Sequence, residues 1–354
     1  MNKLFWKNKK ILITGDTGFK GAWISLILAQ AGAKIQGFSS SAFHDNAQLY
    51  ESLKINKISN TIDGDIRDEK AIQKVFNNFQ PECVFHLAAQ PLVRDSYINP
   101  VSTYDINVMG TINILEAIRS SNSVKAAVMV TTDKCYENKE WEWGYRENDP
   151  LGGYDPYSSS KACAELAIQS YQQSFFNDLR VGPGISSVRA GNVIGGGDFS
   201  KDRLIPDLYE AISKNQHLLL RNPFSTRPWQ HVLEPISGYI EVAEKLYDSG
   251  SLGHDSWNFG PQVSDIRTVQ EVSDLFCKSW GITNIIKHDI DKDQPHEAHS
   301  LSLDISKAFL KLNWHPKWDL ETSIQETVDW YKAYFEKKDV LNLTNKQIER
   351  YFSV

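Results

Sequence analysis

Cysteine is scarce in this chain of 354 residues. Its four cysteines are too few for a disulfide-stapled scaffold and lack the paired spacing of a zinc site. They are Cys83, Cys135, Cys163 and Cys277. The first three lie in apolar or mixed runs, where we expect small buried thiols. The sequence therefore predicts neither a disulfide framework nor a metal centre.

Long apolar runs and an excess of positive charge are also absent. No apolar run approaches the roughly 20 residues that cross a membrane, and residues 1–10 lack the apolar core of a signal peptide. The formal net charge of -6 indicates no basic surface of the kind that binds nucleic acid. We therefore expect a cytoplasmic protein with no membrane or nucleic-acid partner, and at this length two lobes rather than one core.

Short apolar runs alternate with helical stretches over the first 190 residues. The pattern predicts strands at 11–14, 34–38, 83–88, 126–130 and 185–189, with helices at 19–31, 101–119 and 156–176. Such alternation indicates an α/β fold with a doubly wound parallel sheet of the Rossmann type. Sheets of this kind bind ligands beyond the carboxyl ends of their strands.

The alternation stops after three glycines at 195–197, and the remainder is richer in Pro, Trp and His. We predict a dinucleotide-binding domain at 1–190 with a return segment near 231–260. The rest, 191–230 and 261–354, is expected to form a smaller α/β substrate domain towards the C-terminus.

A glycine-rich turn, Gly15-Asp16-Thr17-Gly18-Phe19-Lys20-Gly21, separates the first strand from the first helix. The three glycines permit a tight turn, close approach of a pyrophosphate, and packing of helix on strand. Free N–H groups at the helix start favour phosphate. Position in the chain favours a dinucleotide site over a simple turn. Lys20 would neutralise the pyrophosphate, whereas Asp16 would repel it.

The second strand lacks the terminal acid that usually holds the ribose hydroxyls of NAD. It runs into Gly37-Phe38-Ser39-Ser40-Ser41, which offers neither a carboxylate nor an arginine for a 2′-phosphate. The segment Asp65-Ile66-Arg67-Asp68 is a candidate for the adenine end instead. The same segment fits a capped helix start with a surface ion pair equally well.

Two further motifs carry candidate catalytic groups. In Tyr157-Ser158-Ser159-Ser160-Lys161 the first and last residues share a helix face, so the ammonium would lower the phenol pKa and make Tyr157 a base. Thr132-Asp133-Lys134 follows a buried strand, where a hydroxyl, an acid and an amine can converge on the ligand crevice. A surface pair and a polar turn are the respective alternatives.

Longer strings carry a resemblance to a known family. They are His86–Arg94, Lys134–Asn138, Trp143–Asn148, Gly153–Tyr157, Arg189–Asp198 and Arg227–Val232. With the three motifs, they make almost the whole chain resemble the extended short-chain dehydrogenase/reductase family, in particular its nucleotide-sugar 4,6-dehydratases. The branch that acts on CDP-glucose carries Asp-Lys after the threonine, as at Asp133-Lys134 here, where the dTDP-glucose and GDP-mannose enzymes carry Asp-Glu.

The resemblance implies NAD as cofactor and CDP-D-glucose as substrate. Tyr157 would take the proton of the sugar C4 hydroxyl, with Lys161 as electrostatic support and Thr132 hydrogen-bonded to the same oxygen. Water would then leave across C5 and C6, and hydride would return to C6. The product would be CDP-4-keto-6-deoxy-D-glucose, a precursor of deoxy sugars in surface polysaccharide such as lipopolysaccharide O-antigen.

The pair Asp133-Lys134 leaves the acid–base assignment open. By analogy Asp133 is the acid at C6 and Lys134 the base at C5, yet an isolated pair sits as carboxylate and ammonium. Desolvation by the bound sugar makes the neutral pair more accessible. In the other assignment Lys134 stays charged and stabilises the enolate.

Motifs and resemblance together give a set of binding residues. For NAD they are Gly15, Thr17, Gly18, Phe19, Lys20, Gly21, Asp65, Ile66, Leu87, Ala88, Ala89, Asn107, Tyr157 and Lys161. For the nucleotide sugar they are Gln90, Arg94, Asn192, Lys201, Arg203, Arg221, Arg227 and His299. A bidentate guanidinium suits the diphosphate, but each charged residue also fits a solvated surface.

Three other functions stay open. A 4-epimerase or reductase on the same fold needs no acid–base pair at C5 and C6, and a non-catalytic NAD-dependent sensor usually loses the tyrosine or lysine. The third is a 4,6-dehydratase for another nucleotide sugar. The family's usual dimer packs the helices at 101–119 and 156–176 into a four-helix bundle, which predicts a homodimer or homotetramer. The aromatic loop Trp141–Tyr145 is either a lid or boundary packing.

Overall fold

Alternating apolar runs build one central sheet in the computed structural model, which describes residues 1–41, 47–177, 182–220, 222–288 and 298–353. The strands are β1 (Lys10–Thr14), β2 (Lys34–Ser39), β3 (Ser59–Asp63), β4 (Cys83–His86), β5 (Ala126–Val130), β6 (Gly184–Ala190), β7 (Val193–Ile194), β8 (Leu218–Leu220), β9 (Thr226–Pro228), β10 (Gln230–His231), β11 (Asp255–Phe259), β12 (Ile266–Thr268) and β13 (Ile286–His288).

Fourteen helices are assigned within the described ranges. They are α1 (Lys3–Trp6), α2 (Phe19–Gln30), α3 (Ala47–Ser52), α4 (Glu69–Phe79), α5 (Val93–Ile98), α6 (Pro100–Tyr104), α7 (Gly110–Arg119), α8 (Pro156–Ser174), α9 (Leu204–Ser213), α10 (Leu233–Ser249), α11 (Val269–Trp280), α12 (Ser306–Leu312), α13 (Leu320–Phe335) and α14 (Val340–Ser353).

The sheet has seven parallel strands in the order β11-β6-β5-β4-β1-β2-β3. The chain runs outward from β1 to β3, then returns to place β4 on the other side of β1. This reversal opens a crevice at the carboxyl ends of β1 and β4. The predicted doubly wound α/β fold is confirmed.

Both faces of the sheet are covered because its strands are apolar on both sides. Along β1, Ile11 and Ile13 join a core that includes Trp23 of α2, whereas Leu12 joins a second core that includes Ile114 of α7. The alternation of side chains along a strand thus divides the apolar interior into two layers.

The chain returns to the main sheet after the first lobe. Helix α10 packs against β5 and β6, and β11 pairs in parallel with β6. This segment lies in the stretch expected to return near 231–260. Short strand pairs (β7 with β10, β9 with β12, β8 with β13) and helices α9 and α11 lie beyond the main sheet. The division into two domains stays a prediction.

The segment predicted as one helix over 101–119 is divided into three pieces. A π turn at Asp105–Met109 separates α6 from α7. Its buried Asn107 bonds the backbone of Gln90 in both directions, at 2.8 and 3.1 Å, and the Ser160 hydroxyl at 2.9 Å. Tertiary hydrogen bonds therefore accompany the wider turn, as is common for π-bulges at functional sites. Over the described ranges, no helix is long and apolar enough to cross a membrane.

Candidate active site

A cavity of about 750 Å³ opens at the carboxyl ends of the central strands. It is lined by the glycine turn after β1, by residues after β4 and β5, by the start of α8 and by the segment after β6. Of the predicted site residues, Asn107, Lys201 and His299 do not line it, and Arg221 lies outside the described residues. The cavity brings together all the others.

The glycine turn has the geometry of a phosphate cradle. Gly15 has φ 75°, and a Cβ there would lie 2.8 Å from the backbone nitrogen of Ala88. A Cβ on Gly21 would lie 1.9 Å from the Gly15 carbonyl oxygen, so any side chain would force the turn apart. Gly18 caps α2, whose first turn lines the cavity without an acidic residue. These features fit the pyrophosphate of a dinucleotide such as NAD.

Asp16 points away from this cradle. Its carboxylate is fully buried and accepts hydrogen bonds from Ser39 at 2.6 Å, Thr61 at 2.5 Å and Ser59 at 3.3 Å. Burial raises the pKa of the carboxyl, while the three hydroxyls lower it. The expected repulsion between Asp16 and the pyrophosphate is therefore not supported, because the side chain lies under β2 and β3 and does not line the cavity.

Lys20 lies where the glycine turn meets the catalytic motifs. Burial lowers its pKa to about 8, and the charge of Arg203 lowers it further, while Asp133 opposes the shift. Its ammonium is 5.9 Å from the ring centroid of Tyr239. The side chain thus faces the candidate catalytic groups as well as the start of α2.

The motif Thr132-Asp133-Lys134 forms a 3₁₀ turn directly after β5. The Thr132 hydroxyl donates to Asp133 Oδ1 at 3.0 Å and accepts from the backbone N–H of Lys134 at 3.3 Å. Asp133 is buried, and its Oδ2 has no hydrogen-bond partner among the described residues. Burial raises the pKa of Asp133, which the charge of Lys134 opposes. The site therefore favours the protonated form that an acid requires.

The start of α8 presents Tyr157 and Lys161 to the same cavity. Asp155 caps the helix by accepting from the backbone N–H of Ser158 at 2.9 Å, which fixes its first turn. Tyr157 hydrogen-bonds Thr132, and Lys161 Nζ donates to the Val130 carbonyl at 3.3 Å. The two motifs thus converge at the end of β5.

The sequence predicted that Lys161 lowers the pKa of Tyr157, but in the protein without ligands this pKa is raised. Burial raises the pKa of Tyr157 to about 12, against the lowering effects of Thr132 and Arg203. Burial also lowers the pKa of Lys161 to about 8. Loss of hydration outweighs the helix-face pairing, so further positive charge is needed to make Tyr157 a base near neutral pH.

A fully buried ion pair under α8 was not predicted from the sequence. Glu165 and Arg189 pair at 2.7 Å, Ser187 donates to Glu165 at 2.7 Å, and Arg189 donates to the Tyr136 hydroxyl at 2.6 Å. The pair joins α8 to β6 and fixes the helix face that carries Lys161. One signal was available, since Glu165 lies four residues after Lys161 and so shares its face.

Three of the predicted substrate cations, Arg94, Arg203 and Arg227, line the cavity. Arg227 is buried and donates to the backbone carbonyls of Thr226 at 2.8 Å and His299 at 3.3 Å. Arg203 pairs with Asp198 at 3.0 Å. His299 contributes its backbone to Arg227 rather than its imidazole to the cavity, and its side chain is exposed.

Two predicted contacts have structural surroundings of their own. Arg94 lines the cavity and pairs with Asp202 at 3.5 Å. Asn107 stands behind the lining residue Gln90 and holds its backbone on both sides. Asn107 would therefore act on a ligand through Gln90 rather than by touching it.

The aromatic loop packs on itself. Tyr145 stacks on Tyr136 at 5.1 Å between ring centroids and on Trp141 at 5.2 Å. None of these rings lines the cavity, and Trp143 is exposed. In this structure the loop is packing beside the site rather than a lid over it.

Comparison with known proteins agrees with this geometry. The model of the GDP-mannose 4,6 dehydratase family matches residues 12–327. The chain is 48% identical to the CDP-glucose 4,6-dehydratase of Salmonella typhimurium, over 100% of this chain and 99% of that protein. It is 30% identical to a putative UDP-glucose 4-epimerase of Methanocaldococcus jannaschii, over 91% of this chain and 98% of that protein.

A solved structure has the same architecture. The dTDP-glucose 4,6-dehydratase of Bacillus anthracis, in complex with NAD, superposes with a TM-score of 0.79 at 25% identity, covering 94% of this chain and 99% of that one. The parallel sheet, the glycine cradle and the Tyr157–Lys161 pair point to the same family as these matches, which cover nearly the whole chain. The chain belongs to the epimerase and dehydratase branch of the extended short-chain dehydrogenase/reductase family.

Proposed function

We propose that this protein is an NAD-dependent lyase that converts CDP-D-glucose into CDP-4-keto-6-deoxy-D-glucose. The observation that carries the proposal is the position of Asp133 and Lys134, a buried acid and an amine beside Thr132 and Tyr157 in one cavity. A 4-epimerase or reductase has no use for that acid–base pair. The full-length similarity to a CDP-glucose 4,6-dehydratase supports the choice of substrate.

Bound NAD supplies the oxidant at sugar C4 and the reductant at C6. The glycine cradle and the first turn of α2 would hold its pyrophosphate, and Asp65, Ile66, Leu87, Ala88 and Ala89 line the same cavity for the rest of the dinucleotide. With NAD bound, these residues would exclude water from the reacting face.

Tyr157 would take the proton of the C4 hydroxyl, with the Thr132 hydroxyl holding the same oxygen. A pKa of about 12 keeps the phenol protonated in the protein alone. The Lys161 ammonium, together with the positive charge that bound NAD would supply, would favour phenolate in the NAD-bound protein. Proton removal at C4 is thereby coupled to an occupied site.

The elimination needs one proton removed at C5 and one delivered to the oxygen leaving C6, and hydride return to C6 then needs a proton given back to C5. Asp133, whose burial raises its pKa, would deliver the proton from its unpartnered Oδ2 side. Lys134 would take the C5 proton. Closure around the sugar desolvates Asp133 further and would favour its protonated form.

The diphosphate of the substrate would lie against the arginines that line the cavity. Arg227 supports the proposal best, because it is buried, lines the cavity and is oriented by two backbone carbonyls. Asn192, Arg203 and Arg94 line the same cavity. Lys201, Arg221 and His299 stay candidates for the nucleotide.

The test is turnover. Purified protein with NAD and CDP-glucose is expected to form a product with the alkaline ultraviolet absorbance of a 4-keto-6-deoxy sugar, and UDP-, dTDP- and GDP-hexoses are run in parallel. Product from another donor alone would move the proposal to a different nucleotide sugar. No product from any donor, with NAD bound, would reject the dehydratase and favour an epimerase, reductase or sensor.

We propose in addition that the protein is a cytoplasmic homodimer or homotetramer whose product is used for deoxy sugars of surface polysaccharide. Four unpaired cysteine thiols fit a reducing compartment. Exposed apolar side chains on α5, α6 and α8, among them Ile98, Val101 and Leu166, favour association of copies.

A further inference from the structure

The buried carboxylate of Asp16 occupies space that β2 leaves for it. A Cβ on Gly37, in the middle of β2, would lie 1.9 Å from Asp16 Oδ2. Hydroxyls from two strands surround the carboxylate: Ser39 ends β2, while Ser59 and Thr61 lie on β3. All three donate to it, so hydrogen bonds from β2 and β3 fix the buried carboxylate under these two strands.

Ser39 connects this carboxylate to the cavity. It stands at the carboxyl end of β2 and lines the cavity, at the place where NAD-binding sheets ordinarily carry a ribose-binding acid. Its hydroxyl hydrogen is given to Asp16 Oδ1 at 2.6 Å. One lone pair of Ser39 Oγ accepts from the Thr17 N–H at 3.4 Å, which leaves the other lone pair for a ligand.

We propose that Asp16, acting through Ser39, selects NAD over NADP at the adenosine ribose. A free 2′-hydroxyl can donate to the lone pair of Ser39 Oγ. A 2′-phosphate has little hydrogen to donate and would face both that lone pair and the negative charge behind it. Asp16 is thus a positioning residue. It supplies from the turn after β1 the negative charge that other NAD-binding proteins supply with an acid at the end of their second strand.

Arg67, which follows the cavity-lining residues Asp65 and Ile66, does not offset that charge. Arg67 pairs with Asp65 at 2.6 Å and with Asp105 at 3.6 Å, so two carboxylates already neutralise it. An arginine committed in this way is a poor receptor for a 2′-phosphate, which NADP sites usually bind through an available guanidinium.

The inference rests on the proposed use of NAD, and calorimetric titration of nucleotide-free full-length protein tests it. Wild type is expected to bind NAD at least tenfold more tightly than NADP. Asp16→Asn keeps the shape, loses the charge and lets an amide N–H donate to Ser39, freeing the serine hydrogen for a phosphate. We expect the NADP to NAD ratio of Kd values to fall at least tenfold, with NAD affinity changed less than threefold.

Two more variants complete the test. Ser39→Ala removes the relay and is expected to weaken NAD about tenfold while leaving NADP unchanged. Asp63→Asn is the matched control, because Asp63 ends β3, is exposed, bonds Ser41 instead and does not line the cavity. Its ratio should stay within twofold of wild type.

The outcomes separate this inference from the proposed function. If Asp16→Asn binds NAD with an unchanged NADP to NAD ratio, the role of Asp16 is overturned and the proposed function is not. If Asp16→Asn does not fold, an unchanged NAD Kd in Ser39→Ala has the same meaning. A protein that binds neither dinucleotide overturns both. The expected ratios without turnover of any nucleotide sugar uphold the inference and reject the dehydratase.

Discussion

Lys134 is the residue that decides how the proposed elimination works. If its neutral amine takes the C5 proton, both Lys134→Met and Lys134→Arg should lower kcat at least 100-fold, because a guanidinium keeps the charge but does not deprotonate. Single-turnover absorbance at 340 nm should still rise, since oxidation at C4 does not need Lys134. Asp133→Asn, which removes the acid, should give the same persistent rise.

Retention of activity by Lys134→Arg would contradict the base. That result would assign Lys134 to electrostatic stabilisation of the enolate, with another group taking the C5 proton. Full activity in Lys134→Met would reject both roles.

Tyr157 and Lys161 give a prediction about pH. Deprotonated Tyr157 is the active form, so kcat/KM for the sugar should rise with pH until the phenol is ionised in the NAD-bound protein without substrate. Lys161→Met removes a positive charge that favours phenolate, which raises the phenol pKa. We expect the rise to move to higher pH and kcat/KM at pH 7 to fall at least 100-fold. A pH profile of unchanged midpoint would show that Lys161 acts in some other way.

Residues close in sequence were the predictable part of the candidate site. Tyr157 and Lys161 share a helix face through spacing alone, and the glycines of the first turn are legible because strand and helix flank them directly. The surroundings of Asp16 could not be predicted from the sequence, because the register of β2 and β3 is what brings Ser39, Ser59 and Thr61 to it. The Glu165–Arg189 pair was missed for the same reason.

Elements show the same division between local and tertiary causes. Strands β1, β2, β4, β5 and β6 lie within one or two residues of their predicted bounds, because buried parallel strands are continuous apolar runs. The π turn between α6 and α7 was not predicted. It is accompanied by tertiary hydrogen bonds from Asn107 to Gln90 and Ser160, which helix periodicity does not indicate.

Docking of the last helix makes stability depend on pH. Glu234 of α10 is fully buried and accepts from the Tyr351 hydroxyl of α14 at 2.5 Å and the Trp318 N–H at 2.8 Å. Burial raises its pKa from 4.5 to about 7. Because the folded value is the higher one, the stabilising contribution is complete below pH 4.5 and is lost as pH rises through about 7.

Glu234→Gln cannot titrate and should flatten this dependence. Between pH 5.5 and 8 the free energy of unfolding should fall in wild type by about 2 kcal/mol more than in the variant. Urea unfolding at both pH values measures the difference. Glu336→Gln, an exposed carboxylate beside Lys338, is the control and should follow wild type. Parallel curves for wild type and Glu234→Gln would contradict the assignment.

At the scale of the whole molecule, the candidate site exists because the sheet gathers distant segments. The first turn, the end of β5, the start of α8 and Arg227 of β9 meet in one cavity. Fold class and catalytic motifs were predictable because a parallel sheet places all its carboxyl ends at one edge. The contacts of the substrate cations were not, since they depend on how short strand pairs pack beyond the main sheet.

Association of copies would extend this arrangement to a second chain. Val101 on α6 is 82% exposed and Leu166 on α8 is 55% exposed, although the two helices pack together and α8 also carries Tyr157 and Lys161. An isologous dimer would bury both side chains against their counterparts.

We expect wild type to elute as a dimer or tetramer in light-scattering chromatography, and Val101→Asp/Leu166→Asp to elute as a monomer with lower kcat. Leu310→Asp, on α12 and 74% exposed, is the control and should keep the wild-type state. A double variant that stays associated would place the interface on another face, and a monomeric wild type would reject the oligomer itself.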